Sequence, residues 1–411
     1  MAYALINAFL IDGSGNSEPN KTILINENRI EDVYSGQQVP DGYQTIDLEG
    51  RALLPGLIDA HIHIGHSRSE PDRMRYDRFT EPKVSLLAAR QVWESLWGGV
   101  TTLRDMGARH GQSITIRDAV NAGTIPGSRV VAANESITFT GGHASYQVDG
   151  PWAMRAAVRH QVRAGADVIK IGQSNDANYP GFNPVELEAV IDEAHRLGRR
   201  VAVHVDKEPA LGMSVRAGVD TVEHGFYPYP ETLELMLEKG TYWVPTITIN
   251  RGMRHDEHTP ERYEQNLTEV FKTNGIGDHQ ARRRAAEMRE AFEAFPKCFA
   301  QAVEMGIKII TGPDGPRADR VPMDCARNEV VKFVDWGMSP EQAIVSATSL
   351  AAEALGLDHE LGVIRKGYLA DLIVLDGDPL EDIETIDSIR LVMKDGCIYR
   401  NELQGATEEG F

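Results

Sequence analysis

The fold is decided by one short stretch, Gly56-Leu-Ile-Asp-Ala-His61-Ile-His63. Its apolar part is typical of a buried strand, and the strand ends in two histidines that are separated by one residue. Because alternate residues of a strand point to the same side, His61 and His63 project from one face and can share a metal ion. Polar groups at the carboxyl ends of parallel strands are typical of barrel active sites, so the stretch predicts the first strand of a barrel.

Short apolar runs alternate with amphipathic stretches along the chain that follows. This alternation predicts parallel strands joined by helices, and about eight such units suggest an α/β fold of the (β/α)8 TIM-barrel type. The expected strands are 53–61, 100–105, 129–133, 167–171, 201–204, 221–224, 242–248 and 308–314.

The two ends of the chain have a different pattern, in which short apolar runs are broken by Gly, Asn, Asp and Pro turns. This pattern predicts antiparallel strands, and we expect 1–54 and 359–411 to form one small β-sandwich domain beside a barrel at 55–358. The highly charged segment 250–284 interrupts the barrel pattern. It is either a lid inserted over the barrel mouth or a pair of solvated surface helices.

Four further strand ends carry side chains that are suited to a metal site, namely Lys170, His204, His224 and Asp314. Taken singly, each is explained equally well by a snorkelling lysine, a hydrogen-bonded core histidine or a turn aspartate. Together with the two histidines of the first strand, five strand ends offer metal-competent groups. That agreement predicts one shared site at the barrel mouth.

This ligand set resembles that of the amidohydrolase superfamily, in the subtype that carries a carboxylated lysine. The resemblance includes the Leu54-Pro-Gly-Leu-Ile-Asp59 approach to the first strand and the Gly362-x-Ile-x-x-Gly367-x-x-Ala-Asp-Leu372 motif near the carboxyl end. It covers nearly the whole chain and is strongest toward prolidase-like dipeptidases and related amidases. Fold and metal site are thereby implied more specifically than the substrate.

The resemblance implies two divalent metal ions, with zinc as the expected metal. His61, His63 and Asp314 would hold one ion, and His204 and His224 the other. Lys170 would bridge both after carboxylation by carbon dioxide. Imidazole nitrogens and carboxylate oxygens suit zinc, whereas an ammonium group cannot bind a cation until it has lost its proton.

The implied reaction is hydrolysis of an amide bond by a hydroxide that bridges the metals, with Lys170 and Asp314 as catalytic residues and Asp314 as general acid and base. His143 and Tyr227 correspond to residues that contact the substrate carbonyl and carboxylate in relatives. Their alternatives are a loop histidine and a locally hydrogen-bonded tyrosine.

Two carboxylates, Asp105 and Glu223, are further candidates that would orient metal ligands, or else are ordinary hydrogen-bonded barrel carboxylates. His66 is expected to shape the loop after the first strand.

The substrate is less closely defined, because the loop after Lys170, residues 172–183, is longer and more polar than in the usual relatives. A dipeptidase or an N-acyl amino acid amidase is the first expectation. Aryl amides, carbamates, ureas and cyclic amides are alternative substrates, and a non-catalytic binding protein is the remote alternative.

Composition limits the partners of this 411-residue chain. Its formal charge of -19 argues against nucleic acid and against anionic membranes as partners, which leaves a small amide substrate, expected to carry a carboxylate. Three cysteines and the lack of a basic leader indicate a reducing, cytoplasmic location. The family resemblance also implies a homo-oligomer.

Overall fold

The structure is a computed structural model of the 411-residue chain. It describes residues 2–66, 80–142, 144, 146–173, 181–226, 228–248, 261, 264–265, 268–269, 272, 277–316 and 326–403. The described strands are β1 (Ala2–Ile11), β2 (Ser17–Asn26), β3 (Arg29–Ser35), β4 (Gln44–Asp47), β5 (Ala52–Pro55), β6 (Leu57–Ile62), β7 (Val100–Asp105), β8 (Arg129–Ala132), β9 (Ile137–Thr138), β10 (Tyr146–Gln147), β11 (Val168–Gly172), β12 (Arg200–Val205), β13 (Thr221–His224), β14 (Tyr242–Val244), β15 (Leu372–Leu375), β16 (Ile389–Lys394) and β17 (Cys397–Asn401). The described α-helices are α1 (Glu81–Trp97), α2 (Gln112–Asn121), α3 (Pro151–Ala164), α4 (Pro184–Arg196), α5 (Ala210–Ala217), α6 (Pro230–Lys239), α7 (Asp278–Met305), α8 (Ala326–Asp335), α9 (Pro340–Ser346) and α10 (Ser349–Leu355).

Strands from both ends of the chain form one eight-stranded sheet. Its order is β17-β16-β15-β5-β1-β2-β3, and β4 pairs with β1. Leu5, Ile23, Leu53 and Leu372 bury their side chains in one apolar core of this sheet. The structure records a single sheet here, so the second facing sheet that a β-sandwich needs stays a prediction.

The first expected strand, 53–61, is in fact two strands that belong to different sheets. β5 pairs antiparallel with β15 of the terminal sheet, whereas β6 pairs parallel with β7. Gly56 stands between them, and a Cβ built on it would lie 2.2 Å from Oγ1 of Thr101. Only glycine therefore fits where the chain passes from one sheet to the other.

The interior of the fold consists of parallel strands in two sheets, ordered β6-β7-β8 and β10-β9-β11-β12-β13-β14. Every residue of β6, β7, β11 and β13 is buried, as expected for strands that are covered on both faces. Helices between these strands pack on the same core; Val190 of α4 and Phe333 of α8 lie in one cluster with Ile169 of β11. The fold class is therefore α/β with parallel sheets.

Among the described residues, the interior strands do not form one closed ladder. The expected eighth strand, 308–314, is not a strand. Its contacts with the neighbouring strands are the isolated parallel bridge Trp243↔Ile309 and single backbone hydrogen bonds such as Asp314 N–H to His61 O, and the bridge Ile62↔Gly315 follows directly after it. Pro313 and Pro316 lack the N–H that a ladder needs, and Asp314 has a φ of 59°. Between β8 and β11, one backbone bond joins Asp167 N–H to Ala132 O at 2.8 Å.

The seventh expected strand, 242–248, is also shorter than predicted, because β14 ends at Val244. Pro245 follows directly, and Thr246 has a φ of 48°, so the backbone leaves the extended region at this point.

Most of the predicted lid segment 250–284 lies outside the described residues, and its last residues belong to α7, which begins at Asp278. The choice between a lid and surface helices therefore stays open. Within the part of the chain that the structure describes, no helix combines the length and the apolar character required to cross a membrane.

Candidate metal centre

The six predicted ligands line or adjoin one cavity of about 550 Å³ at the carboxyl ends of the interior strands. Their imidazole rings lie close together, with centroid distances of 5.4 Å between His61 and His63, 5.0 Å between His61 and His224, and 4.5 Å between His204 and His224. Strand pairing explains this convergence, because parallel strands end at the same edge of a sheet.

His61, His63 and Asp314 form the tightest part of this group. Nε2 of His61 lies 3.5 Å from Oδ1 of Asp314, and Nε2 of His63 lies 3.4 Å from the same oxygen. The three side chains can each offer one ligand atom such that all three atoms lie within 4.8 Å of one another. Two imidazole nitrogens and one carboxylate oxygen suit a divalent transition metal.

Lys170 is the middle residue of β11 and is only 3% exposed. Its Nζ atom is buried and has no hydrogen-bond partner among the described residues. Burial is the main cause that lowers the pKa of Lys170 to about 8, although the carboxylate of Glu223 opposes this change. A lysine with this pKa is partly neutral near physiological pH, as carboxylation requires.

Each of three histidines uses Nδ1 to contact a protein oxygen. Nδ1 of His61 lies 2.7 Å from Oε2 of Glu223, and Nδ1 of His63 lies 3.0 Å from the carbonyl oxygen of Gly107. Nδ1 of His224 lies 2.8 Å from Oγ1 of Thr246. When Nδ1–H is the donor in each pair, Nε2 is left to bind a metal.

Burial lowers the pKa of His61 and of His224 well below the usual value, with the neighbouring charges of Lys170 and His204 acting in the same direction. Neutral imidazole is the form that binds a metal. The fit between this site and divalent cations therefore rests on two features, the neutral nitrogens and the buried Lys170 Nζ, which has no hydrogen-bond partner in the part of the chain that the structure describes.

Glu223 is one of the two carboxylates expected to orient metal ligands, and the structure places it against His61. Oε1 of Glu223 accepts from Nη2 of Arg104 at 2.8 Å, and Nε of Arg104 donates to the carbonyl oxygen of Ala60 at 2.6 Å. Arg104 was missed in the sequence, although an arginine inside the apolar strand 100–105 is itself a signal of a buried ionic partner.

Asp105 supports two backbone segments near His63, the turn after β6 and the turn after β7. Its carboxylate accepts backbone N–H groups of Ile64 at 3.0 Å and of Gly107 at 3.1 Å. Burial raises the pKa of Asp105 to about 7. The carbonyl oxygen of Gly107 in turn contacts Nδ1 of His63. Asp105 therefore influences the orientation of this histidine through the backbone of Gly107.

Gln91 of α1 holds the turn that contains His66. Gly65 N–H donates to Oε1 of Gln91 at 2.6 Å, and Nε2 of Gln91 donates to the carbonyl oxygen of His66 at 2.6 Å. The ring of His66 stacks on His63 with a centroid distance of 5.1 Å and lines the cavity. This agrees with its expected place in the loop, whereas no sequence pattern indicated Gln91.

Two predicted ligands and one supporting residue have left-handed backbones. The φ angles are 72° for His224, 59° for Asp314 and 48° for Thr246. Non-glycine residues adopt this region at a cost of about 1–3 kcal/mol each, and such strain is concentrated at functional sites.

His143 and Tyr227, the two predicted substrate contacts, lie outside the described residues, as do residues 174–180 of the loop after Lys170. Their neighbours Gly142 and Ala144 line the cavity. The roles of His143 and Tyr227 therefore stay predictions.

Comparisons with known proteins agree with this geometry. The sequence model of the amidohydrolase family matches residues 52–398. Ochratoxinase from Aspergillus niger is 28% identical over 438 aligned positions, which cover 95% of this chain and 85% of that protein. A solved Xaa-Pro dipeptidase with methionine bound in its active site has a TM-score of 0.84 at 31% identity, covering 98% of this chain and 100% of that one. Phenylurea hydrolase B has a TM-score of 0.80 at 23% identity, covering 97% and 96% of the two chains, which shows likeness of fold alone.

Proposed function

This chain belongs to the amidohydrolase family, and from that premise we propose that it is a metal-dependent hydrolase of amide C–N bonds, acting as a dipeptidase or an N-acyl amino acid amidase. One observation carries the proposal. The buried Nζ of Lys170, for which the described residues offer no hydrogen-bond partner, shares a cavity with His63, His204, His224 and Asp314. A lone lysine in such surroundings is costly unless it takes part in the chemistry.

The proposed ligand assignment is the one that the family resemblance implies. Two zinc ions are proposed, with His61, His63 and Asp314 holding one, His204 and His224 holding the other, and carboxylated Lys170 between them. In support, the first three donor atoms lie within 4.8 Å of one another, and His204 and His224 are in ring contact at 4.5 Å. The interior strands are proposed to close as a (β/α)8 barrel through segment 309–315, which bridges β14 and β6.

Bound divalent ions would polarise the substrate carbonyl and supply hydroxide near neutral pH. Proton transfer would be carried out by a side chain of the protein. Oδ1 of Asp314 lies beside Nε2 of both His61 and His63, and its side chain is 18% exposed to the cavity. A carboxylate at that place can take a proton from the attacking water and pass it to the leaving amine.

Similarity to a Xaa-Pro dipeptidase and to an ochratoxinase supports a substrate with an amide bond next to an amino acid. Aryl amides, carbamates, ureas and cyclic amides are the alternative substrates, and phenylurea hydrolase B supports them by fold alone. A carboxylate-bearing substrate would place its charge near His143 and Tyr227.

The test is a hydrolysis screen with zinc-loaded protein against dipeptides, N-acyl amino acids, aryl amides, carbamates and ureas. We expect turnover of dipeptides or acyl amino acids that depends on added metal. The exposed-lysine variant Lys366→Ala should match the wild type, whereas Lys170→Ala should not. Turnover of aryl carbamates or ureas alone would overturn the proposed substrate class, and full metal content without any turnover would favour a binding protein.

A further inference from the structure

The cavity wall contains a hydroxyl group that the metal centre does not explain. Two lining residues carry a buried polar side-chain atom without a hydrogen-bond partner among the described residues, namely Lys170 with Nζ and Ser136 with Oγ. The metal centre accounts for the lysine. A buried hydroxyl without a partner is unfavourable in a folded protein, so Ser136 calls for a ligand of its own.

Ser136 lies directly beside the backbone that orients one metal ligand. A Cβ built on Gly107 would lie 3.4 Å from Cβ of Ser136, so the two residues form one continuous part of the wall. The carbonyl oxygen of Gly107 is the group that contacts Nδ1 of His63. A substrate atom that reaches Ser136 is thus close to the site where the amide would be cleaved.

The segment that carries Ser136 is held rigidly. Nδ2 of Asn134 donates to Oε1 of Gln161 at 2.6 Å, and the carbonyl oxygen of Asn134 accepts from the N–H of Ala108 at 2.8 Å. Asn134 is 3% exposed and has a φ of 64°, a conformation that these contacts sustain. A hydroxyl on so fixed a backbone is preorganised for a hydrogen bond.

Outside the metal centre, the described cavity wall combines apolar residues with the uncharged polar side chain of Gln147 and the imidazole of His66. Met106, Ala108, Gly142 and Ala144 line the same cavity, and Lys170 is the sole lysine or arginine among the described lining residues. A charged acyl group would find no fixed counter-charge there, whereas an uncharged acyl group would bury apolar surface.

We propose that Ser136 is a specificity residue that donates a hydrogen bond to an oxygen acceptor on an otherwise apolar, uncharged acyl half of the substrate. The inference rests on the proposed amide hydrolysis and adds the chemistry of the acyl group. It predicts a preference for acyl groups with an ether or hydroxyl oxygen a few bonds from the scissile carbonyl.

The experiment compares two substrates that differ in one atom, methoxyacetyl and butanoyl amides of the amino acid that the hydrolysis screen selects. We expect zinc-loaded wild type to favour the methoxyacetyl amide by about tenfold in kcat/KM. Ser136→Ala should reduce this ratio to about one while zinc content stays unchanged. Calorimetric binding of methoxyacetate and butanoate to both proteins gives the same comparison without turnover.

Ser214→Ala is the matched control, because Ser214 is fully buried, bonds to the carbonyl oxygen of Ala210 and does not line the cavity. It should keep the wild-type ratio. An active wild type without preference, or an equal loss on both substrates in Ser136→Ala, would overturn this inference alone. A wild type that hydrolyses no amide would overturn the proposed function and the inference together.

Discussion

Nδ1 of His61 lies 2.7 Å from Oε2 of Glu223, and both side chains are almost completely shielded from solvent. On the other side of the carboxylate, Oε1 accepts from Arg104 at 2.8 Å and from the hydroxyl of Thr221 at 2.5 Å. A carboxylate fixed from two sides holds the ring of His61 in one orientation and one tautomer, which leaves Nε2 toward the metal side.

Glu223→Gln should therefore weaken metal binding as well as the fold. The amide keeps the shape of the side chain, but it leaves the buried Arg104 without its counter-charge and weakens the support of His61. We expect about a 10–100-fold loss of metal affinity and about 3–5 kcal/mol lower stability. Chelator competition and urea unfolding measure the two effects. Glu234→Gln on the exposed face of α6 is the control, and wild-type affinity in Glu223→Gln would contradict the supporting role.

The sequence identified side chains by their position near the carboxyl end of an expected strand, which is why His61, His204 and His224 could be placed. Lys170 was found in the same way, although β11 continues for two residues beyond it. Alternation along a strand indicates the face on which a residue lies. It does not indicate the partner across the fold, so the sequence did not show that Glu223 contacts His61. Contacts between distant strands depend on register and twist, which a single sequence does not encode locally.

Irregular backbone conformation is the second structural feature that the sequence did not predict. The run 308–314 is apolar enough to suggest a strand, yet Gly312, Pro313 and the left-handed Asp314 leave only isolated bridges. A Cβ on Gly312 would lie 2.9 Å from the backbone nitrogen of His61, so close approach to β6 determines this segment. Such an approach is a tertiary effect that no local propensity predicts.

Lys170→Ala should lower both the metal content and the activity of the protein. Without the bridging group we expect the metal content to fall from close to two ions per chain and most activity to be lost. Short carboxylic acids such as acetate should restore part of both, because they occupy the space of the carbamate. Elemental analysis and kinetics with and without acetate are the measurements. Full activity and full metal content in the variant would exclude the lysine as the bridge.

Carboxylation of Lys170 should depend on pH in a defined direction. Because the pKa of Lys170 is lowered to about 8, the neutral amine becomes the major form above that pH. Metal-free protein in ¹³C-labelled bicarbonate should therefore show a carbamate signal that grows between about pH 7 and pH 9. Lys170→Ala provides the blank spectrum. A signal that is equally absent at both pH values in wild type would contradict the carboxylated lysine.

Thr246→Val should affect one metal position more than the other. Oγ1 of Thr246 lies 2.8 Å from Nδ1 of His224, and valine keeps the shape while removing the oxygen. We expect about 10–100-fold weaker binding of one ion, seen as two separate steps in a chelator titration. Thr241→Val, another buried threonine that bonds to the carbonyl oxygen of Val219, should titrate as wild type. Equal weakening of both ions would point to a general loss of structure.

Glu329 offers a prediction about stability rather than activity. It is fully buried on α8, its Oε1 accepts Thr248 N–H at 2.5 Å, and its Oε2 has no hydrogen-bond partner among the described residues. Burial raises the pKa of Glu329 from 4.5 to about 7. Between these values the unfolded chain has lost the proton and the folded protein retains it, so the free energy of unfolding falls as pH rises through this window.

Glu329→Gln should remove that dependence, because glutamine keeps the oxygen that accepts from Thr248 and stays neutral at every pH. For metal-free protein we expect the variant to gain on wild type between pH 5 and pH 8 by on the order of 3 kcal/mol in free energy of unfolding. Urea unfolding at the two pH values measures this difference, and the exposed Glu188→Gln should show none. A variant that is less stable than wild type by the same amount at both pH values would mean that Glu329 is ionised in the folded protein.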